Sequence, residues 1–260
     1  MTKQLKCIIW DVDDTLYDVS TGFTSYRNGP VVWQFMVDHL HFPSVEAAKE
    51  VRDFYFEKYH STAKALTIAQ QEGKFPSHSP KFQTADLSQY WADHLDFNLL
   101  TPKTDSFLQD LQSLPLLHVA FSNGPRIYVQ RVLQRLGLWG TIFTDDTLFA
   151  VDDVLPYCKP EKEAFETIFQ RIKVSPKECI MIEDSMKNIR CAKQLGMKTI
   201  FVVGQGKGRD DETLDSSAKD PAVDAVVETV EQLKDTLGAL WSEDPLKAFT
   251  GDQQILGDKC

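Results

Sequence analysis

The chain has 260 residues, 42% of them hydrophobic, which is enough for one sizeable core domain with room for a small insertion. Its formal net charge of -10 argues against nucleic acid or an anionic membrane as a partner, because both bind basic surfaces. The five cysteines show no CxxC spacing, and no apolar run is long enough for a signal peptide or a membrane span, so we expect free thiols in the cytoplasm.

The first predicted element is a short buried strand, the apolar run Cys7-Ile8-Ile9-Trp10, followed directly by Asp11-Val12-Asp13-Asp14-Thr15-Leu16. In open α/β sheets, ligands bind beyond the carboxyl ends of the strands. Asp11 and Asp13 repel each other if they face one pocket, unless a cation lies between them, and Mg²⁺ is the obvious candidate. The alternative is a plain Asp-rich turn, since Asp readily bonds its own backbone.

The next block is predicted to be helical. Apolar residues between positions 31 and 40 recur at helical spacing, Pro43-Ser44 begins a second helix, and two more helices are expected over 62–71 and 86–95. No strand pattern interrupts this block. We therefore expect a helical cap over residues 18–97, inserted into a core domain made of residues 1–17 and 98–240.

From residue 100 onwards, strands and helices alternate. Strands are predicted over 116–121, 141–144, 178–182, 199–203 and 225–227, and helices over 126–136, 161–172, 186–195 and 230–240. Alternation of this kind predicts an α/β fold with a doubly wound parallel sheet. Residues 204–220 are expected to form a long loop, and residues 241–260 show no pattern and are expected to be a mobile tail.

Chemically useful side chains follow the strands. They are Asp11 and Asp13, Ser122 and Asn123, Lys159 before a helix, and the pair Glu183-Asp184. The carboxyl ends of parallel strands share one edge, so these groups should converge. Together they supply a nucleophile, a proton donor, phosphate ligands and a metal site. Taken singly, each also fits a turn, a helix cap or a solvated lysine.

The four segments, in this order, resemble the motifs of the haloacid dehalogenase superfamily of aspartate-dependent phosphohydrolases. DVDDT fits the first motif, Ser122 the second, Lys159 the third and Glu183-Asp184 the fourth. The stretches DDTLYDVSTG and IEDSMKNIRCAKQLGMKT are similar to the pyrimidine 5′-nucleotidase-like branch. Where that branch carries a Tyr-Gly-Thr-Thr type segment, this chain has His60 in place of the glycine.

The resemblance implies a Rossmann-like core, a helical cap and specific roles. Asp11 would attack phosphorus, Asp13 would act as general acid and base, and Lys159 would neutralise developing charge. Ser122 and the backbone of Asn123 would hold phosphate oxygens. Mg²⁺ would be bound by Asp11, the backbone carbonyl of Asp13 and Asp184, with Glu183 as a direct or water-mediated ligand.

The function expected from the sequence is Mg²⁺-dependent hydrolysis of a small phosphomonoester, with nucleoside 5′-monophosphates as the leading substrates. The alternatives are a sugar phosphate or phosphorylated cofactor as substrate, or a non-catalytic binding protein of the same fold. Tyr59 and His60 are candidate substrate-binding residues of the cap, although packing roles are also open. We expect a monomer or weak homodimer.

Overall fold

The computed structural model describes residues 4–205 and 219–249, and it contains a six-stranded, fully parallel sheet. The strand order is β3-β2-β1-β4-β5-β6. The strands are β1 (Cys7–Trp10), β2 (Leu117–Phe121), β3 (Leu148–Phe149), β4 (Cys179–Glu183), β5 (Lys198–Val202) and β6 (Ala225–Val227). The predicted α/β fold class is confirmed.

The central strand β1 is buried on both faces, which explains its unbroken run of apolar residues. Ile8 and Trp10 belong to the larger hydrophobic core cluster on one face, whereas Cys7 and Ile9 belong to the second cluster on the other. In register, Trp10 lies between Ala120 of β2 and Ile182 of β4. The residues that follow these three positions therefore emerge at the same edge of the sheet.

Helices cover both faces of the sheet. Those that follow the insertion are α6 (Asp105–Ser113), α7 (Arg126–Arg135), α8 (Lys162–Ile172), α9 (Met186–Leu195) and α10 (Leu233–Thr236). The helix over 105–113 was not predicted. Thr104 caps its first turn by accepting a hydrogen bond from the Phe107 backbone N–H, and Phe107 and Leu111 are its buried residues.

Between β1 and α6, a stretch that the structure describes throughout, the chain forms five α-helices and no strand. They are α1 (Phe23–Tyr26), α2 (Val32–Leu40), α3 (Val45–Tyr59), α4 (Thr62–Gln71) and α5 (Thr84–His94), and we call residues 18–97 the helical insertion. A π-type turn, Arg27–Val31, joins α1 to α2, and Gly29 within it has non-helical dihedral angles.

The helical insertion packs on the core domain through α5. The Ser88 hydroxyl accepts hydrogen bonds from the backbone N–H groups of Ile127 and Tyr128, at 3.1 and 3.3 Å, at the start of α7. The Trp91 ring packs edge-on against the Tyr128 ring, with 5.3 Å between centroids. Ser88 and Trp91 thus attach the insertion to the helix that follows β2.

Two predicted elements are wrong. Residues 141–144 form a turn rather than a strand, with one bridge between Trp139 and Phe143, and the strand beside β2 is instead β3. From this turn Phe143 is buried in the core and Ile142 packs against it half-buried, so the apolar character of the pair does not reflect pairing in the sheet. The single helix predicted over 230–240 is divided into 3-10 turns on either side of α10.

The tail is ordered further than expected. Residues Pro245–Phe249 form a 3-10 turn that packs on the main core through Leu246, Ala248 and Phe249. The rest of the expected tail, most of the loop predicted over 204–220 and Cys260 lie outside the described residues. Within the described ranges, no helix has the length and apolar character needed to cross a membrane.

Candidate active site

The carboxyl ends of β1, β2 and β4 bring a lysine between two carboxylates. Lys159 Nζ donates to Asp11 Oδ1 at 2.5 Å, to Glu183 Oε2 at 2.8 Å and to the Phe121 carbonyl at 2.9 Å. Lys159 is only 1% exposed, and Asp11 and Glu183 are also buried. The three residues come from segments far apart in the chain, so the fold itself assembles this ion-pair network.

Asn123 holds the backbone of Lys159. Its side-chain oxygen accepts from the Lys159 N–H at 2.8 Å, and its side-chain nitrogen donates to the Lys159 carbonyl at 2.9 Å. This paired contact fixes the loop before α8 against the end of β2. In the structure the Asn123 side chain therefore positions Lys159.

Burial and neighbouring charges shift the pKa values of this network. Burial, followed by the charge of Glu183, raises the pKa of Asp11 to about 7, although Lys159 opposes both effects. Burial lowers the pKa of Lys159, but Asp11 and Glu183 outweigh that effect and raise it. One ammonium between two carboxylates leaves negative charge that a further cation could neutralise.

The carboxylates of Asp11, Glu183 and Asp184 form a buried cluster with ligand oxygens within 4.8 Å of one another. Thr15 Oγ1 lies 3.1 Å from Asp11 Oδ2 and 3.3 Å from Asp184 Oδ1, and it braces the two acids from one side. Oxygen donors of this kind suit a hard divalent cation such as Mg²⁺. Glu183 is already bound by Lys159 and by the backbone N–H groups of Asp184 and Ser185. The cluster is thus a candidate site for a divalent cation.

Asp13 lies in a different environment. Its Oδ1 forms an ion pair with Arg27 Nη1 at 2.8 Å and accepts from the hydroxyls of Tyr17 at 2.7 Å and Tyr128 at 2.5 Å. Its Oδ2 accepts from the Ser122 hydroxyl at 3.2 Å. Burial raises the pKa of Asp13, but the charge and hydrogen bond of Arg27, followed by the two tyrosines, lower it below its usual range. Asp13 is therefore held as a carboxylate.

Sequence reasoning missed Arg27, Tyr17 and Tyr128. Arg27 comes from the helical insertion and lies over the rings of Tyr128 and Trp91, at 4.7 and 5.1 Å from the centroids. No motif marks Arg27, because its partner Asp13 is brought to it only by tertiary packing. Tyr17 does lie four residues after Asp13, a spacing that could have suggested local contact.

The cap candidates Tyr59 and His60 adjoin this site through their backbones. The Tyr59 carbonyl accepts from the Cys158 thiol at 3.6 Å, and the His60 carbonyl accepts from the Asn123 side chain at 3.4 Å. The Tyr59 ring stacks on Tyr55, and the His60 ring is bonded to Lys187. The structure places this segment beside Asn123, and a role for the two side chains in substrate binding stays a prediction.

A family model and a full-length relative both match most of this chain. Residues 5–196 match the family model described as a haloacid dehalogenase-like hydrolase. The chain is 26% identical over 236 residues to glyceraldehyde 3-phosphate phosphatase of Methanothermobacter thermautotrophicus, covering 90% of this chain and 100% of that relative.

Solved structures agree on the fold. A HAD phosphatase from Thermococcus onnurineus superposes with a TM-score of 0.58 at 19% identity, covering 90% of this chain and 98% of that one. A 2-haloacid dehalogenase from Pseudomonas syringae pv. Tomato superposes with a TM-score of 0.57 at 20% identity, covering 90% and 99%.

We predict that Lys159→Met destabilises the metal-free protein by about 3–5 kcal/mol, because two buried carboxylates lose their shared cation. Without Lys159 the pKa of Asp11 rises above about 7. A raised folded-state pKa means that stability falls as the pH rises, so the difference from wild type should grow between pH 5 and pH 8. Urea unfolding at both pH values measures it. Lys162→Met is the matched control, since that side chain is 62% exposed, and equal stability of Lys159→Met and wild type at pH 8 would contradict the prediction.

We predict that Arg27→Gln raises the pKa of Asp13 above its usual range, because burial then acts without the opposing guanidinium. A ¹³C NMR titration of the Asp13 carboxyl group measures this. Tyr128→Phe, which removes one hydrogen bond but no charge, should raise the pKa by less. An Asp13 pKa that is the same in Arg27→Gln and wild type would show that Arg27 does not control it.

Proposed function

The chain belongs to the haloacid dehalogenase-like hydrolases, and we propose that it hydrolyses small phosphomonoesters with the help of a divalent cation, through a phosphorylated Asp11. The observation that carries this proposal is the Lys159 ammonium held between Asp11 and Glu183, with Asp13 on the same edge of the sheet. A buried nucleophile beside a fixed cation suits attack on a phosphate dianion.

Lys159 orients the nucleophile. It engages Asp11 Oδ1, while Oδ2 faces Thr15 at 3.1 Å and is the oxygen we assign to the attack on phosphorus. Lys159 also lowers the repulsion between the carboxylate and the incoming phosphate. Ser122 and the Asn123 backbone N–H are proposed to hold phosphate oxygens.

A divalent cation is proposed to bind Asp11, the Asp13 carbonyl and Asp184, with Glu183 in support, and Mg²⁺ fits these oxygen donors. Bound there, the cation would neutralise charge on the phosphoryl group.

Asp13 is proposed to move the proton. It takes up a proton from solvent as the phosphate dianion approaches and raises its pKa, and it gives that proton to the leaving oxygen. The carboxylate then takes a proton from the attacking water as the phospho-enzyme is hydrolysed, and returns it to solvent when phosphate leaves. Arg27 keeps Asp13 charged before substrate arrives, and the tyrosine hydroxyls of Tyr17 and Tyr128 keep the carboxylate oriented.

Two classes of substrate are proposed. The sequence resemblance favours nucleoside 5′-monophosphates. The full-length relative from Methanothermobacter is a glyceraldehyde 3-phosphate phosphatase, and that observation favours a small phosphorylated sugar. Phosphate release from a panel of both classes, assayed with Mg²⁺, would decide between them.

We predict that removal of divalent metal lowers phosphatase activity by about 100-fold or more, and that Mg²⁺ restores it. Mg²⁺ should also raise the unfolding temperature, and by more at pH 8 than at pH 5, because a protonated Asp11 with a pKa of about 7 binds cations poorly. Full activity of a verified metal-free sample would contradict the metal requirement.

We predict that Asp11→Asn abolishes turnover, because an amide neither attacks phosphorus nor forms an acyl phosphate, whereas Asp13→Asn lowers kcat by about 10²–10⁴-fold. Asp145→Asn is the control, since that carboxylate is 79% exposed. Phosphate release and mass spectrometry of the trapped phospho-enzyme measure the two effects. A folded Asp11→Asn variant with near wild-type turnover would contradict the covalent mechanism.

A further inference from the structure

The helical insertion has a cavity of about 500 Å³, open to solvent, between the α1–α2 turn and α3. Asn28, Trp33, Lys49, Arg52, Asp53 and Phe56 contribute to its lining. Arg52 is the charged side chain at its buried end, with 6% of its surface exposed, whereas Lys49 is exposed. The cavity is large enough for a small metabolite.

Two hydrogen bonds hold the Arg52 side chain in place, but they engage only part of its N–H donors. Its Nη1 donates to Asp53 at 3.0 Å and its Nη2 to Thr62 at 3.3 Å. Among the described residues, no acceptor is within hydrogen-bond distance of the buried Nε. A guanidinium group carries five N–H donors, and a buried donor without a partner is costly. With Nη1 and Nη2 each donating one hydrogen bond, the guanidinium keeps donors for a ligand.

Contacts with aromatic rings keep the two cations of the cavity in position. The Arg52 guanidinium lies 3.8 Å from the centroid of the Phe56 ring, and Lys49 Nζ lies 5.0 Å from that of Trp33. Such contacts orient a cation without occupying its N–H groups. They also cover one face of each ring, which disfavours stacking of a nucleobase there.

Hydrogen bonds and neighbouring residues of the chain link the cavity to the proposed catalytic residues. Thr62, the hydrogen-bond partner of Arg52, also donates to Asn28 at 3.5 Å. The neighbouring Ser61 donates to the Asn123 carbonyl at 3.3 Å. Asn28 in turn follows Arg27, whose guanidinium contacts Asp13 and whose charge also lowers the pKa of Arg52, after the larger effect of burial.

We infer that this cavity binds the leaving group of the substrate, and that Arg52 selects phosphomonoesters that carry a second anionic group, either a carboxylate or another phosphate. The Arg52 guanidinium donates to that anion through N–H groups that Asp53 and Thr62 do not engage, and Lys49 adds positive charge from the exposed edge. Two acids of the lining, Asp53 and the exposed Glu57, oppose this positive charge, and Asp53 engages only Nη1 of Arg52. This inference rests on the proposed phosphatase function and defines its substrate class.

The test compares three-carbon substrates that differ in their second group. Glycerol 3-phosphate has no anionic group besides its phosphate. The other two substrates are 3-phosphoglycerate, which adds a carboxylate, and 1,3-propanediol bisphosphate, which adds a second phosphate. Wild type should show a higher kcat/KM for at least one of the two anionic substrates than for glycerol 3-phosphate. The substrate that is preferred identifies whether the second anion is a carboxylate or a phosphate. Arg52→Met should lower that ratio by about 10- to 100-fold, the range for a charge-assisted hydrogen bond. Arg52→Lys should restore part of it.

Two further variants separate charge from folding. Asp53→Asn removes the competing acid and should increase the preference for the second anion. Arg131→Met changes an exposed arginine of α7 and should keep the wild-type ratio. A wild-type preference for glycerol 3-phosphate, or an unchanged ratio in Arg52→Met, would overturn the inference.

Binding of non-hydrolysable analogues distinguishes this inference from the proposed function. Calorimetry with the Mg²⁺-loaded protein compares 3-phosphonopropionate with propylphosphonate. We expect the carboxylate analogue to bind at least about 10-fold more tightly in wild type and to lose this advantage in Arg52→Met. Selective binding without turnover of any ester would overturn the proposed function alone. Turnover without selectivity in either assay would overturn the inference alone.

Discussion

One ammonium group and two carboxylates meet, nearly without solvent, where β1, β2 and β4 end. Burying three charges together is favourable only when each finds its partners at short range, so the positions of Lys159, Asp11 and Glu183 are interdependent. That requirement extends outwards, because Lys159 can reach the acids only from a backbone that Asn123 holds with two hydrogen bonds. The register of the central strands and the position of the loop before α8 are thus both needed to form this ion-pair network.

The same arrangement separates two aspartates that are neighbours in sequence. Burial and Glu183 raise the pKa of Asp11, whereas Arg27 and two tyrosines hold that of Asp13 low against burial. Opposite environments for paired carboxylates are the usual way in which a site assigns them different roles. Asp14, with a φ of 58°, turns the chain just beyond them, and Asp tolerates this left-handed conformation better than most residues.

Much of the fold and of the central site could be predicted, because the information is local. A buried strand followed by acids is visible in residues 7–13, and the parallel order places Lys159 and Glu183 at the same edge. The misses have a common physical cause. Arg27 and Tyr128 meet Asp13 only through packing of the insertion on α7, and residues 141–144 bury apolar side chains from a turn instead of a strand. Helical periodicity likewise does not reveal which face of α3 encloses a cavity.

The π-type turn Arg27–Val31 contributes residues both to the proposed catalytic site and to the cavity lined by Arg52. A turn of this kind carries an extra residue, which changes the direction of successive side chains, and such turns are frequent at functional sites. Here Arg27 contacts Asp13, while the next two residues, Asn28 and Gly29, line the cavity that contains Arg52. In a regular helix, consecutive side chains point about 100° apart around the helix axis. One short segment, residues 27–29, thus contacts the proposed proton-transferring carboxylate and also lines the proposed leaving-group subsite.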